Sequence, residues 1–345
     1  MPSTALTTTP LGSTGLEITR VGLGAWAIGG PWAFGWGPQD DAESVRTIHH
    51  AVASGINWVD TAPAYGLGHG EEVVGRAVRE LPDADRPLVF TKCGLTWTQG
   101  GDPMDGVRRD ASQITKEIDD SLRRLGVEVI DLYQLHQPPA DGTTLEEAWA
   151  TLVGLRDAGK ARFVGISNFQ ARHLERCEAI GHVDTLQPPL SLINRNVLDT
   201  TMRWCAVHDT GVIVYSPMQA GILTGRWDAP RRDALAEDDW RRRSDDYQSP
   251  NFERNLDLVA RLEPIAEELA CSMADLAIAW TLHQEGVSGA IVGARAPGQV
   301  DGWLRAGEVR LAPEVLDRIA AAIGQSGAGE GPVVATPEGD AGLPA

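Results

Sequence analysis

Apolar positions along this chain of 345 residues fall into two alternating patterns. Short apolar runs, such as Leu88-Val89-Phe90 and Val129-Ile130-Asp131-Leu132-Tyr133, predict strands at residues 21–24, 57–60, 88–92, 129–136, 163–167, 185–187, 212–216 and 290–293. Between them, apolar residues recur at helical spacing over 41–54, 70–80, 112–125, 145–158, 170–180, 200–209 and 273–284, and a last helix follows the eighth strand at 297–306. Gly55, Gly126, Gly159, Gly211 and Gly286 stand where such segments must stop, as glycine does just past a helix C-terminus. Strands and helices that alternate in this way call for a parallel sheet, and eight such units favour an α/β protein closed as a (β/α)8 TIM barrel. Residues 9–323 are read as one domain of this kind, and 324–345 as a flexible Gly-, Ala- and Pro-rich tail. Residues 9–19 read as a hairpin at the barrel bottom. The connection from about 218 to 251, after the seventh strand, is long enough to be functional and carries Arg231, Arg232 and Arg241-Arg242-Arg243.

Several predicted strands end on a polar side chain. Asp60, Lys92 and His136 close three of them, and Tyr65 follows the first by five residues. A charged group is poorly placed for packing at the end of an apolar strand, but it faces the site that a barrel builds at its C-terminal mouth. Further ends carry Ser167-Asn168, Gln187, Tyr215-Ser216 and Gly293-Ala294-Arg295. A carboxylate, an ammonium, a phenol and an imidazole together make a proton-donating site. Taken singly, Asp60 with Lys92 fits a buried structural ion pair, and His136 a satisfied core histidine. Their joint order along the chain favours function.

The segments that carry this order resemble the aldo-keto reductases. They include Gly55-Ile56-Asn57-Trp58-Val59-Asp60-Thr61-Ala62-Pro63-Ala64-Tyr65-Gly66, Thr91-Lys92, Leu135-His136 and Val164-Gly165-Ile166-Ser167-Asn168-Phe169. Tyr215-Ser216-Pro217-Met218, Gly221-Ile222-Leu223-Thr224-Gly225 and Ile291-Val292-Gly293-Ala294-Arg295 with Gln299 continue the match in order. The resemblance implies hydride transfer between NADPH (NADP+) and an aldehyde or ketone, with Tyr65 as general acid/base and Asp60, Lys92 and His136 as its catalytic companions. It assigns the nicotinamide carboxamide to Ser167, Asn168 and Gln187, and the face of its ring to Tyr215. Trp26, Ser216, Pro217, Met218, Gly221, Leu223, Gly293 and Ala294 complete the cofactor wall, with Arg295 and Gln299 at the adenosine-phosphate end. The chain departs from the family pattern at Gly302-Trp303, where relatives often carry Glu-Asn on the adenine, and at Leu190, where many carry tyrosine.

Trp32, Trp36 and Trp97 fall in expected loops and are assigned to the substrate pocket. In the mechanism expected here, Lys92 lowers the pKa of the Tyr65 phenol while Asp60 holds the ammonium. Val21-Gly22-Leu23-Gly24-Ala25-Trp26-Ala27 fits a loose dinucleotide fingerprint, but Gly29-Gly30-Pro31-Trp32-Ala33-Phe34-Gly35-Trp36-Gly37-Pro38 cannot be the helix that the fingerprint needs. A net charge of −18 argues against nucleic acid and anionic membranes as partners, and requires that any phosphate be held by local cations. Four scattered cysteines and no metal-ligand spacing leave a small carbonyl or alcohol as the expected partner, in a soluble, cytoplasmic protein whose oligomeric state is open. His49-His50 and Glu71-Glu72 read as solvent faces of helices. The alternative reading is a redox-sensing NADPH-binding module resembling potassium-channel β-subunits.

Overall fold

The computed structural model describes residues 5–333. Its strands β1 (Val21–Gly24), β2 (Trp58–Asp60), β3 (Leu88–Cys93), β4 (Ile130–Leu135), β5 (Ala161–Ser167), β6 (Thr185–Gln187), β7 (Gly211–Val214) and β8 (Val287–Gly293) pair in parallel, and β8 pairs back onto β1. The sheet is therefore a closed eight-stranded barrel with its strands in sequence order around the ring. Helices α1 (Asp41–Ala53), α2 (His69–Glu80), α3 (Ile114–Leu125), α4 (Leu145–Asp157), α5 (Ala171–Glu178) and α6 (Thr200–Val207) follow the first six strands. After β7 come α7 (Ala229–Asp233), α8 (Asn251–Glu268) and α9 (Met273–Leu282); after β8 come α10 (Pro297–Asp301) and α11 (Pro313–Ser326). Thr144 and Glu147 form a capping box at the start of α4, as Ser272 and Asp275 do at α9, and each satisfies two otherwise unpaired N–H groups.

The barrel floor is packed by Trp58, Phe90, Leu132, Ile213 and Ile291 from the strands, against Leu11, Leu16 and Ile18 from the N-terminal hairpin. That hairpin pairs Thr8–Pro10 with Glu17–Thr19 and covers the bottom as expected. The Trp58 indole donates to Thr19 O at 2.8 Å, so the hairpin is tied to the strand that ends on Asp60. Glycine is required at position 22, because a Cβ there would lie 2.1 Å from the Trp58 ring. An apolar plug at one end leaves the opposite, C-terminal end of the strands for polar work.

Four expectations are corrected, and one segment left open is defined. Helices α8 and α11 were not anticipated; α8 buries Phe252, Leu258, Val259, Leu262 and Ile265 on one face despite Pro264 within it. The segment after β8 is a short helix to Asp301 followed by turns, rather than one helix to residue 306. Residues 324–326 belong to α11, and Ala328 is buried against the Arg195 guanidinium, which donates to Ala328 O and Gly331 O. The segment expected as tail is thus packed through residue 331, and residues 334–345 lie outside the described residues. Glu71 is not on a solvent face. It is fully buried, with Arg124 Nε at 2.6 Å and Thr91 Oγ1 at 2.7 Å. Finally, the connection after β7 is ordered. It holds turns at Gln219–Thr224, Trp240–Arg243 and Asp245–Tyr247, besides α7.

Candidate active site

Asp60 ends β2, and β3 places Lys92 beside it, because the register sets Asp60 against Phe90. Lys92 is completely buried and its ammonium donates to Asp60 Oδ1 at 2.6 Å, Thr61 O at 3.0 Å and Tyr65 Oη at 3.3 Å. Three acceptors use all three donors of the ammonium. The second oxygen of Asp60 accepts from Gln187 Nε2 at 2.8 Å. Tyr65 stands over this pair, between the Trp32 ring at 6.2 Å and the edge-on His136 ring at 6.0 Å. The His136 backbone N–H bonds Cys93 O at 2.9 Å, which fixes the imidazole just past the end of β3. Its Nδ1 is buried without a partner.

Burial pushes the Tyr65 phenol well above its ordinary pKa, and the Asp60 charge adds to the rise. The lowering expected from Lys92 does not prevail in the resting site, where burial and the Asp60 charge outweigh the ammonium at 3.3 Å. Burial also lowers the pKa of Lys92 itself, against the pull of Asp60. The same burial, with the Lys92 charge behind it, holds His136 well below 6.5. The site therefore presents a neutral phenol and a neutral imidazole over a paired carboxylate and ammonium.

Ser167 and Asn168 end β5, where Ser167 Oγ donates to Gln187 O at 2.8 Å. Asn168 takes φ 68°, a left-handed conformation that asparagine tolerates and that clusters at functional sites. Its Nδ2 donates to His136 O at 3.0 Å and its Oδ1 accepts from Tyr215 Oη at 2.6 Å, so three strand ends are locked together. Buried Gln134, which the sequence reading passed over, completes the lattice at 3.4 Å from Gln187 Nε2.

These groups line one wall of a cavity of about 980 Å3. Trp26, Trp32 and Trp36 form the roof on the loop after β1, where residues 29–40 hold no helix. Ser216, Pro217, Met218 and Gly221 follow β7, while Gly293, Ala294, Arg295 and Gln299 follow β8. Trp97 and Leu223 do not line the cavity; Leu223 is fully buried in the core, and Trp97 sits beyond the strand pairing that turns the chain after β3. Trp303 is buried and reaches the wall with its indole N–H unpartnered, and Leu190 is buried with its N–H on Tyr215 O at 3.1 Å.

Side chains from the long connection after β7 reach the cavity: Arg231 and Arg241, already marked in its charged run, and Trp227, which was not singled out. Trp240, on the connection after β7, packs 5.5 Å from Trp26 and edge-on 6.1 Å from Trp36. Arg241 lies 4.5 Å over the Trp36 ring and 5.2 Å over Trp227. The periodicity of an irregular segment gives no signal for such contacts; the density of Trp and Arg between residues 226 and 243 was the one available hint. Among the lining residues are five arginines (109, 226, 231, 241 and 295) and one carboxylate, Asp60, which Lys92 neutralises. A strongly acidic protein has therefore built a locally positive cavity. This suits a phosphate-bearing group, and the unpartnered indole N–H groups of Trp26 and Trp303 on the same wall suit one with exposed acceptors.

One titratable group lies just behind the site. The Glu117 carboxyl, on α3, accepts from Gly94 N–H at 3.1 Å at the exit of β3. Burial pushes its pKa to about 8, against the hydrogen bond from Gly94, while Asp110 and Glu71 add to the rise. The unfolded carboxyl titrates near about 4.3, so between these values the native state binds the extra proton. This stability is present below the unfolded pKa and is lost as pH rises through about 8. Glu117→Gln is expected to remove that loss. Between about pH 5.5 and about pH 8.5 the parent should lose a few kcal/mol of urea-unfolding stability relative to the variant, since every other titrating group is common to both.

Comparison with known proteins agrees with this geometry. The family model described as Aldo/keto reductase family matches residues 20–323. Aldo-keto reductase YhdN of Bacillus subtilis is 35% identical over 85% of this chain and 86% of its own length. The NADH-specific methylglyoxal reductase of Escherichia coli is 34% identical over 84% of this chain and 90% of its own. Among solved structures, the glycerol dehydrogenase AKR11B4 of Gluconobacter oxydans superposes with a TM-score of 0.83 at 36% identity, covering 100% of both chains. The holo form of aldo-keto reductase AKR11C1 from Bacillus halodurans shares the fold, with a TM-score of 0.73 at 23% identity. A closed parallel barrel with a phenol, an ammonium, a carboxylate and an imidazole at its C-terminal mouth, matched by a family model over nearly its whole length, belongs to the aldo/keto reductase family.

Proposed function

We propose that this chain reduces small aldehydes or ketones, or oxidises the corresponding alcohols, with NADP(H) as the hydride carrier and Tyr65 as the group that gives or takes the proton. The observation that carries the reading is the stack of Asp60, Lys92 and Tyr65 at 2.6 and 3.3 Å, set under His136 in a positive cavity. When bound, the nicotinamide supplies the hydride chemistry. Ser167, Asn168 and Gln187 would hold its carboxamide and Tyr215 its ring. Arg226, Arg231 and Arg241, which line the cavity after β7, would hold the cofactor's phosphates, and Arg295 and Gln299 its adenosine end.

Charge builds on the carbonyl oxygen during reduction, and the protein must meet it with donors already in place. His136 is neutral, so it orients that oxygen by a hydrogen bond and leaves the proton to Tyr65. The phenol resists ionisation in the closed site until a strong base, the developing alkoxide, arrives beside it. The Lys92 ammonium, held by Asp60, then stabilises the phenolate. Trp26, Trp32 and Trp36 keep water from the reacting carbon.

The choice of phosphorylated cofactor rests on Arg295. Its Nε donates to Gln39 Oε1 at 2.7 Å and its Nη1 to Trp36 O at 2.9 Å, with Nη2 on Pro38 O. The guanidinium thus pins the loop after β1 with three of its five N–H groups, which leaves two for a ligand in the cavity it lines. One charge-assisted contact to a 2′-phosphate is worth about 1.5–3 kcal/mol, or roughly 10–100-fold in affinity. Fluorescence titration is expected to show NADPH bound at least about tenfold more tightly than NADH, and Arg295→Ala to remove most of that difference. Any loosening of the loop weakens both cofactors alike, so the difference between them is the readout. Equal affinities in the parent protein would refute the assignment of Arg295, and a preference for NADH would match the NADH-specific relative instead.

A further inference from the structure

Four of the five cavity arginines are grouped on one side, on the segments that follow β7 and β8. Three of these four are engaged. Arg295 holds the loop after β1, Arg241 pairs with Asp239, and Arg231 donates to Arg226 O at 2.8 Å. Arg109 stands apart from them. It lies on the two-stranded excursion after β3, where Leu95 pairs with Arg109 and Thr96 with Arg108. In the ring of strands, β3 is four places from β7 and three from β8, which puts Arg109 across the cavity from the phosphate-side arginines.

Directly opposed residues of an antiparallel pair share a face. Leu95 and Arg109 both face the cavity, while Arg108, on the other face, is occupied by Thr98 Oγ1 at 3.2 Å. Among the described residues the Arg109 guanidinium has neither a hydrogen bond nor an ion pair. Its strand partner Leu95 and the nearby Val107, which line the cavity with it, are apolar. Asp110, next in sequence, is turned to Thr96 and Ser112. The excursion leaves β3 two residues after Cys93, whose carbonyl fixes His136, so Arg109 is on the side of the cavity that holds His136.

We propose that Arg109 receives an anionic end of the substrate, so that the preferred carbonyl compounds carry a carboxylate or a phosphate a short chain away from the reacting carbon. This rests on the carbonyl-reductase reading and names its substrate class. A strongly negative net charge repels such molecules, so the exposed, unpaired Arg109 guanidinium at the cavity rim supplies the local attraction that the whole molecule lacks. Planar N–H pairs suit either anion, and the two sources are separated by experiment.

The test is steady-state kinetics with matched pairs: succinic semialdehyde against butyraldehyde for the carboxylate, and glyceraldehyde 3-phosphate against glyceraldehyde for the phosphate. At least one anion is expected to exceed its neutral partner about tenfold or more in kcat/KM, mostly through KM and less at high salt. The pair that shows the preference identifies which anion it is. Arg109→Met should bring the anionic substrate down to its neutral partner and leave the neutral one unchanged, and Arg109→Lys should restore part of the preference. Equal use of both members of each pair by the parent protein overturns the proposal, as does an Arg109→Met variant that loses neutral and anionic substrates alike. Absence of turnover with all four substrates and both cofactors removes the carbonyl-reductase reading and this proposal with it, whereas turnover without preference removes this proposal alone.

Discussion

Tyr65→Phe is expected to fold, to bind cofactor as the parent does, and to reduce carbonyls at least about 10²-fold more slowly. The substitution removes one oxygen and keeps the ring that packs against Trp32 and His136. The lost oxygen accepts from Lys92 at 3.3 Å, and no other hydroxyl stands there to replace it: the Tyr215 hydroxyl is committed to Asn168 at 2.6 Å. His136 cannot take over as an acid, because burial and the Lys92 charge keep the imidazole neutral at ordinary pH. Rate and cofactor affinity should therefore separate cleanly. A variant that turns over within about threefold of the parent would show that the proton comes from elsewhere.

Lys92→Met is expected to cost both activity and stability, on the order of 3–5 kcal/mol for the latter. It strands Asp60, which is 2% exposed and keeps Gln187 Nε2 as its side-chain partner. A buried carboxylate without its counter-charge is far more costly than the pair was favourable. The double variant Asp60→Asn with Lys92→Met removes both charges and should regain most of the stability in urea unfolding, yet remain inactive. If activity returned together with stability, the ion pair would be scaffold alone and the phenol would need no ammonium beside it.

The barrel was legible because its signal repeats. Each apolar run ending on a polar residue is weak alone, but the same boundary recurs at Asp60, Lys92, His136, Asn168 and Gln187, and a closed ring brings those ends to one mouth. Tyr65, Ser167 and Tyr215 were found for the same reason. Helix α8 escaped notice because Pro264 interrupts a pattern that is otherwise amphipathic from Phe252 to Ala266. Glu71 looked like a surface residue beside Glu72, and nothing local reveals that Arg124, from a different helix, meets it inside. Trp97 shows the limit of reading loop aromatics as pocket residues: it lies only two residues past Leu95, which does line the cavity, but beyond the end of the strand pairing. Trp240 and Arg241, which close the cavity roof, belong to an irregular connection whose tertiary contacts no periodicity encodes.

The direction of the Tyr65 pKa also lay beyond the sequence. Lysine beside a phenol favours phenolate, but in the resting site burial and the charge of Asp60 outweigh it. The resting site accordingly stores a proton on the phenol. It releases that proton when negative charge develops on a neighbouring oxygen.

Hydride transfer at this mouth is tested directly by one labelling measurement. Reduced cofactor carrying deuterium at the transferable position of the nicotinamide is incubated with the protein and an aldehyde, and the alcohol is analysed by mass spectrometry. The account predicts one deuterium on the former carbonyl carbon in each product molecule formed by the parent protein, and a product yield reduced about 10²-fold or more with Tyr65→Phe. Alcohol formed without the label, or formed equally fast without the phenol, would contradict it.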